Sequence, residues 1–142
     1  MDVINLYKDP KRFAELPAPV KMAVATLLAG WLVHFFLLFR LFQGQIPQSM
    51  LLQQAALAVI SFFVLLKLKN WARILCITGN AIVLLFYLAL LAGLLGGGGG
   101  AVLTGIALVS VGLFGYSTFL LWNPETADFF KRQSVKPPQS AN

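Results

Sequence analysis

The chain has 142 residues, 58% of them hydrophobic and only 11% charged, with a mean hydropathy of +0.79. So little polar content cannot cover a water-soluble globule of this size, so lipid must solvate most of the molecule. The net charge of +6 and pI near 9.8 do not point to nucleic acid, because the basic residues flank long apolar runs, where membrane topology and anionic headgroups account for them.

The chain opens with a polar segment in which Asp9-Pro10 precedes Lys-Arg-Phe-Ala-Glu-Leu. A capping residue followed by proline at the first helical position predicts a short amphipathic helix lying at the membrane surface, bearing Lys11 and Arg12. The first apolar run begins after this mixed, acid-containing segment and is too long for a signal-peptide core, so we expect a retained signal anchor.

Four runs meet the requirement of roughly 17 to 25 apolar residues per crossing: Val20–Phe42, Met50–Leu66, Trp71–Leu95 and Ala101–Trp122. The expected fold is therefore an all-α, four-transmembrane-helix bundle with short interfacial helices at both ends. The second span is the shortest and requires Lys67 or Lys69 to snorkel; the third is the longest and should tilt or start in the interface at Trp71. Between the first two lies a short turn, Gln43–Ser49. The Gly96–Gly100 run between the last two reads as a flexible connection, since a phosphate loop would need a preceding strand and a following lysine.

Orientation follows from Lys and Arg placement. One side carries Lys8, Lys11, Arg12, Lys21, Lys67, Lys69, Arg73, Lys131, Arg132 and Lys136, and the other only Arg40. The positive-inside rule then places both termini and the Lys67–Asn70 loop in the cytoplasm. After the fourth span, Asn123-Pro124 opens a second capped segment, with Glu125 and Asp128 early and Lys131 and Arg132 late, as a helix dipole favours. Its expected role is an interfacial anchor, with Phe129 and Phe130 turned to lipid or to the bundle, and Gln133–Asn142 reads as a disordered end.

Polar groups inside spans are the default functional candidates in a membrane protein. Counted from the cytoplasmic end of each span, His34, Gln54 and Ser110 share a depth, so a His34–Gln54–Ser110 cluster is geometrically available. Histidine can hold a proton or a metal near neutrality, but a proton path normally includes intramembrane carboxylates and the spans contain none. Interhelical hydrogen bonding is the favoured role. Asn80 heads a second polar level with Ser61, Thr78, Tyr116, Ser117 and Thr118, and should face the bundle because an amide is costly in lipid. Ala25 and Ala29, and Ala101, Gly105 and Gly112, mark faces of close helix approach, either inside the bundle or at a homodimer seam. Cys76, alone within an apolar run, reads as a small core residue.

No nucleophile–base set, HExxH motif or paired carboxylates can be assembled, so no enzymatic activity and no cofactor are expected. The segment Lys-Asn-Trp-Ala-Arg-Ile at Lys69–Ile74, together with Leu-Leu-Trp-Asn-Pro-Glu-Thr-Ala-Asp-Phe-Phe at Leu120–Phe130, resembles a loose group of small bacterial four-span membrane proteins of uncharacterised function. That resemblance implies the bacterial inner (plasma) membrane. The functional expectation is a noncatalytic accessory subunit of a larger membrane complex or a small homo-oligomer. A small oligomeric channel or transporter, and an anionic-lipid-binding protein using the cytoplasmic basic rim of Lys11, Arg12, Lys67, Lys69, Arg73, Lys131 and Arg132, are the alternatives.

Overall fold

The computed structural model describes residues 10–97 and 100–135. The Asp9 cap, Lys8, the Arg12 side chain, Gly98, Gly99 and the end from Lys136 onward, including Pro137-Pro138, lie outside the described residues. A 3-10 helix, Pro10–Glu15, leads into α1 (Ala18–Leu41), followed by α2 (Gln48–Leu66), α3 (Asn70–Gly96), α4 (Ala101–Trp122) and α5 (Pro124–Ser134). Every regular element among the described residues is helical, and α1 to α4 are each long and apolar enough to cross a membrane. The chain is a multi-pass membrane bundle.

Backbone chemistry sets the ends of these helices. Pro17 and Pro47 precede α1 and α2, and their fixed φ suits entry into a helix. At the end of α1, Gln43 and Gly44 take positive φ values of 52° and 82°, and the Gly44 amide closes on the Phe39 carbonyl at 2.9 Å. Between α2 and α3, Leu68 adopts φ 52°, a conformation that costs a β-carbon-bearing residue about 1 to 2 kcal/mol. Its side chain is buried in the core, and that burial holds it there.

The core is a three-helix affair. Helix α4 lies between α1 and α3 and packs extensively on both, whereas α2 is attached along one edge and buries only Leu65. On α4 the buried residues are Ala107, Ser110, Phe114, Ser117, Leu120 and Leu121, and all but Leu120 follow an alternation of three and four. The facing side of α1 repeats this spacing through Val20, Ala23, Leu27, Gly30, His34 and Leu37. Alternating three-four spacing is the packing repeat of left-handed helix bundles. Close approach is concentrated at Gly30, where a β-carbon would lie 3.2 Å from the Phe114 ring, and at Ser117, whose hydroxyl donates to the Ala23 carbonyl at 3.2 Å.

Of the two roles open to the small-residue faces, this seam removes packing inside the bundle for α4's Ala101, Gly105 and Gly112. Ala101, Gly105 and Gly112 face outward, and a β-carbon at Gly105 or Gly112 would meet nothing within 4 Å. Ala25 is exposed and Ala29 half-buried. The small residues that permit close packing are one face around, at Ala23, Gly30, Ala107, Ser110 and Ser117.

Both described ends of the chain meet at one end of the bundle, where α5 folds back beneath α3 and α4. The Asn123 side chain caps α5 by accepting from the Glu125 amide at 3.0 Å. Phe129 and Phe130 turn inward and join Leu16, Leu65, Leu68 and Leu121 in the core. Gln133 and Ser134 belong to this helix, with Gln133 buried, so these two residues are not part of the disordered end expected to begin at Gln133. The cause is a set of reciprocal caps. Lys69 donates to the Gln133 carbonyl at 2.9 Å, and the Asn70 amide, first in α3, donates to Ser134 Oγ at 2.8 Å.

Candidate functional site

Three of the four intramembrane candidates converge. His34 from α1 places Nε2 3.2 Å from Gln54 Oε1 on α2 and Nδ1 2.6 Å from the Tyr87 hydroxyl on α3. Ser110 of α4 adjoins the Tyr87 hydroxyl, and its single hydroxyl proton serves either the phenol oxygen or the Ile106 carbonyl, 3.0 Å from Ser110 Oγ. One polar chain, Gln54–His34–Tyr87–Ser110, therefore contacts all four spanning helices. The missing member in the sequence reading was Tyr87. Its signal is the seven-residue step from Asn80, which puts both on the buried face of α3.

In a neutral imidazole one ring nitrogen donates and the other accepts. Gln54 Oε1 can only accept, so His34 carries its proton on Nε2, and Nδ1 accepts from the phenol. Both ring nitrogens are thus engaged. Aromatic rings close the remaining sides: Trp31 meets His34 edge-on at 5.3 Å between centroids, Tyr87 stacks on Phe114 at 6.1 Å, and Trp31 packs edge-on against Phe114 at 5.8 Å. His34, Tyr87 and Ser110 are buried, and Gln54 is half-buried at the edge. A metal at either nitrogen would displace one of its two hydrogen bonds, whereas a second proton on Nδ1 would reverse the bond to the Tyr87 hydroxyl. Among the described residues no three His, Cys, Asp or Glu side chains converge.

Asn80 sits about 10 Å closer to the terminal end, two helical turns from Tyr87. It faces the bundle at 4% exposure, and its Nδ2 has no hydrogen-bond partner. Of its neighbours in depth, Ser117 is buried on the α1–α4 seam, whereas Thr78 and Tyr116 are exposed and Thr78 and Thr118 bond to carbonyls of their own helices. Cys76, also buried, donates from Sγ to the Ser61 carbonyl across 3.5 Å and so tethers α2 to α3.

The basic rim divides into two kinds of residue. Lys69 and Arg73 are turned inward as helix caps: Arg73 Nη1 donates to the Leu121 carbonyl near the end of α4 at 3.0 Å, and Nε to Asn70 Oδ1 at 3.2 Å. Cations at helix C-termini complement the negative end of the dipole, which accounts for both placements. Lys67 lies 5.7 Å from the centre of the Trp71 ring. Lys11, Lys131 and Arg132 are exposed, with Lys131 3.7 Å from Asp128 in a pair that water screens. An open basic surface formed by all seven residues is therefore not what the fold presents.

No family model matches this chain, nor does any curated protein or solved structure. Fold and site together define its class directly, as an integral membrane protein whose four spanning helices are joined by one polar chain.

Proposed function

We propose that this chain is a noncatalytic component of the bacterial inner membrane that works through helix contacts, as an accessory subunit of a larger membrane complex or as a small homo-oligomer. Both termini lie in the cytoplasm, as the placement of ten of the eleven Lys and Arg residues on that side favours. The observation that carries the reading is α2. It buries a single residue along its whole length, leaves Gln53 exposed, and is attached to its own bundle along one edge only. A helix so thinly covered is the natural surface for another membrane helix.

The polar chain supports a structural rather than a catalytic role, because both nitrogens of His34 are already used in holding helices together. Interhelical hydrogen bonds of this kind contribute about 0.6 kcal/mol on average and up to about 1.7 kcal/mol. Crosslinking at α2 positions in the native membrane, followed by purification in mild detergent, tests the reading. A crosslinked homo-oligomer or a stoichiometric partner is expected; a strictly monomeric particle without a partner overturns it. A small oligomeric transporter is the second reading, favoured by the continuous polar path from Ser110 to Gln54, and reconstituted flux abolished by His34→Ala would establish it.

A further inference from the structure

Between α1 and α2 the lipid-facing surface is hollow. A cavity of about 610 Å³ at the terminal end is walled by Phe13, Lys21, Ala25, Leu28 and Phe62. A second, of about 200 Å³, continues deeper between Leu28, Trp31, Phe35, Ala58 and Phe62. The two share Leu28 and Phe62, so they form one cleft running from the membrane rim toward mid-bundle. Among the described residues on its walls Lys21 is the one charged side chain, and it stands at the rim.

We propose that this cleft binds an anionic phospholipid from the leaflet at the terminal end, with one acyl chain along α1 and its phosphate at Lys21. The dimensions suit that occupant. From Lys21 to Trp31 is about 15 Å of helix, which is half the hydrocarbon thickness of about 30 Å and hence the depth of one leaflet. The cleft narrows from about 610 Å³ at the rim to about 200 Å³ deeper in the bundle. An extended hydrocarbon chain matches the narrower space, and the cleft opens sideways to the bilayer, where such chains are the solvent.

The charge argument points the same way. Lys21 is half-buried and donates to the Ala14 carbonyl at 3.1 Å, which uses one of three ammonium donors and aligns the group at the rim. The first turn of α1 contains no acidic residue, so the positive end of the helix dipole adds to the Lys21 charge. Glu15, the acid closest in sequence, is exposed on the preceding 3-10 helix rather than on the cleft wall.

The test uses the full chain with Trp71→Phe and Trp122→Phe, which leaves Trp31 as the only indole and thereby a reporter in the cleft. Phosphatidylglycerol or phosphatidylcholine with brominated acyl chains is titrated into the reconstituted protein, and quenching of Trp31 is followed. Saturable quenching at a roughly fivefold lower fraction of phosphatidylglycerol is expected, the preference one lysine near a headgroup confers. Lys21→Gln should abolish the preference and Lys21→Arg retain it. Ala25→Phe, or the smaller Ala25→Leu, should reduce saturable quenching by either lipid. Equal, non-saturating quenching by the two lipids, or a preference that survives Lys21→Gln, overturns the proposal.

Discussion

The ammonium group of Lys69 meets the main-chain carbonyl of Gln133 at 2.9 Å and so fastens the start of α3 to the end of α5, 64 residues further along the chain. Together with the Ser134 bond to the Asn70 amide, this contact makes α5 part of the folded body rather than a loose surface helix. Lys69→Met should weaken docking of α5 by about 1 kcal/mol, since a hydrogen bond from a charged donor is lost at a partly solvated site. Hydrogen exchange of the amides in Ala127–Ser134 should accelerate about fivefold, while those in the centre of α4 should not change.

The same logic applies at mid-membrane, where Tyr87→Phe keeps the ring against Phe114 but removes the proton that His34 Nδ1 accepts. A buried acceptor without a partner should cost about 1 to 2 kcal/mol, read as a shift in reversible unfolding in bicelles. Gln54→Leu, at the half-buried end of the polar chain, should cost about 0.6 kcal/mol or less. Combining Tyr87→Phe with His34→Ala should be clearly non-additive, whereas Tyr87→Phe with Asn80→Ala, two turns apart, should add within about 0.5 kcal/mol.

How much of this was legible in the sequence differs between depth and rotation. Long apolar runs and their flanking lysines disclose where each helix crosses, and counting along the spans correctly brought His34, Gln54 and Ser110 to one level. Rotation about the helix axis is harder to read, because a helix facing lipid is apolar on every side and lacks the polar stripe that orients a soluble helix. That is why Gly105 and Gly112 can be read either as internal packing residues or as a homodimer seam, while Ala107, Ser110 and Ser117 form the seam inside the bundle. Lys69 and Arg73 misled for a related reason: a cation at a membrane rim has the same sequence signature whether it points to headgroups or caps a neighbouring helix.

Glycine substitutions separate the two faces. Gly30→Val forces a branched side chain against the Phe114 ring, 3.2 Å from where its β-carbon would stand, and should destabilise the bundle by about 1 to 3 kcal/mol. Gly112→Ala meets open space and should change stability by no more than about 0.5 kcal/mol. The two variants can be compared by thermal unfolding in the same detergent.

Sidedness can be checked with single cysteines in a Cys76→Ser background. Lys11→Cys and Lys131→Cys should react with a membrane-impermeant maleimide only after the cytoplasmic face is opened, as the positive-inside rule requires. Gln45→Cys, in the turn after α1, should react in intact cells. The opposite pattern would invert the orientation.

The bond from Ser117 to the Ala23 carbonyl joins residues 94 positions apart, and it sets an order of events during synthesis. Helix α1 enters the bilayer while its principal partner, α4, has yet to be translated. Throughout that interval the His34 imidazole sits within a lone span, and the first group able to answer it is Gln54, on the next helix to emerge. Tyr87 arrives only with the third helix. In chain order α2 thus carries the first hydrogen-bond partner His34 can meet, ahead of Tyr87 and of the α1–α4 seam.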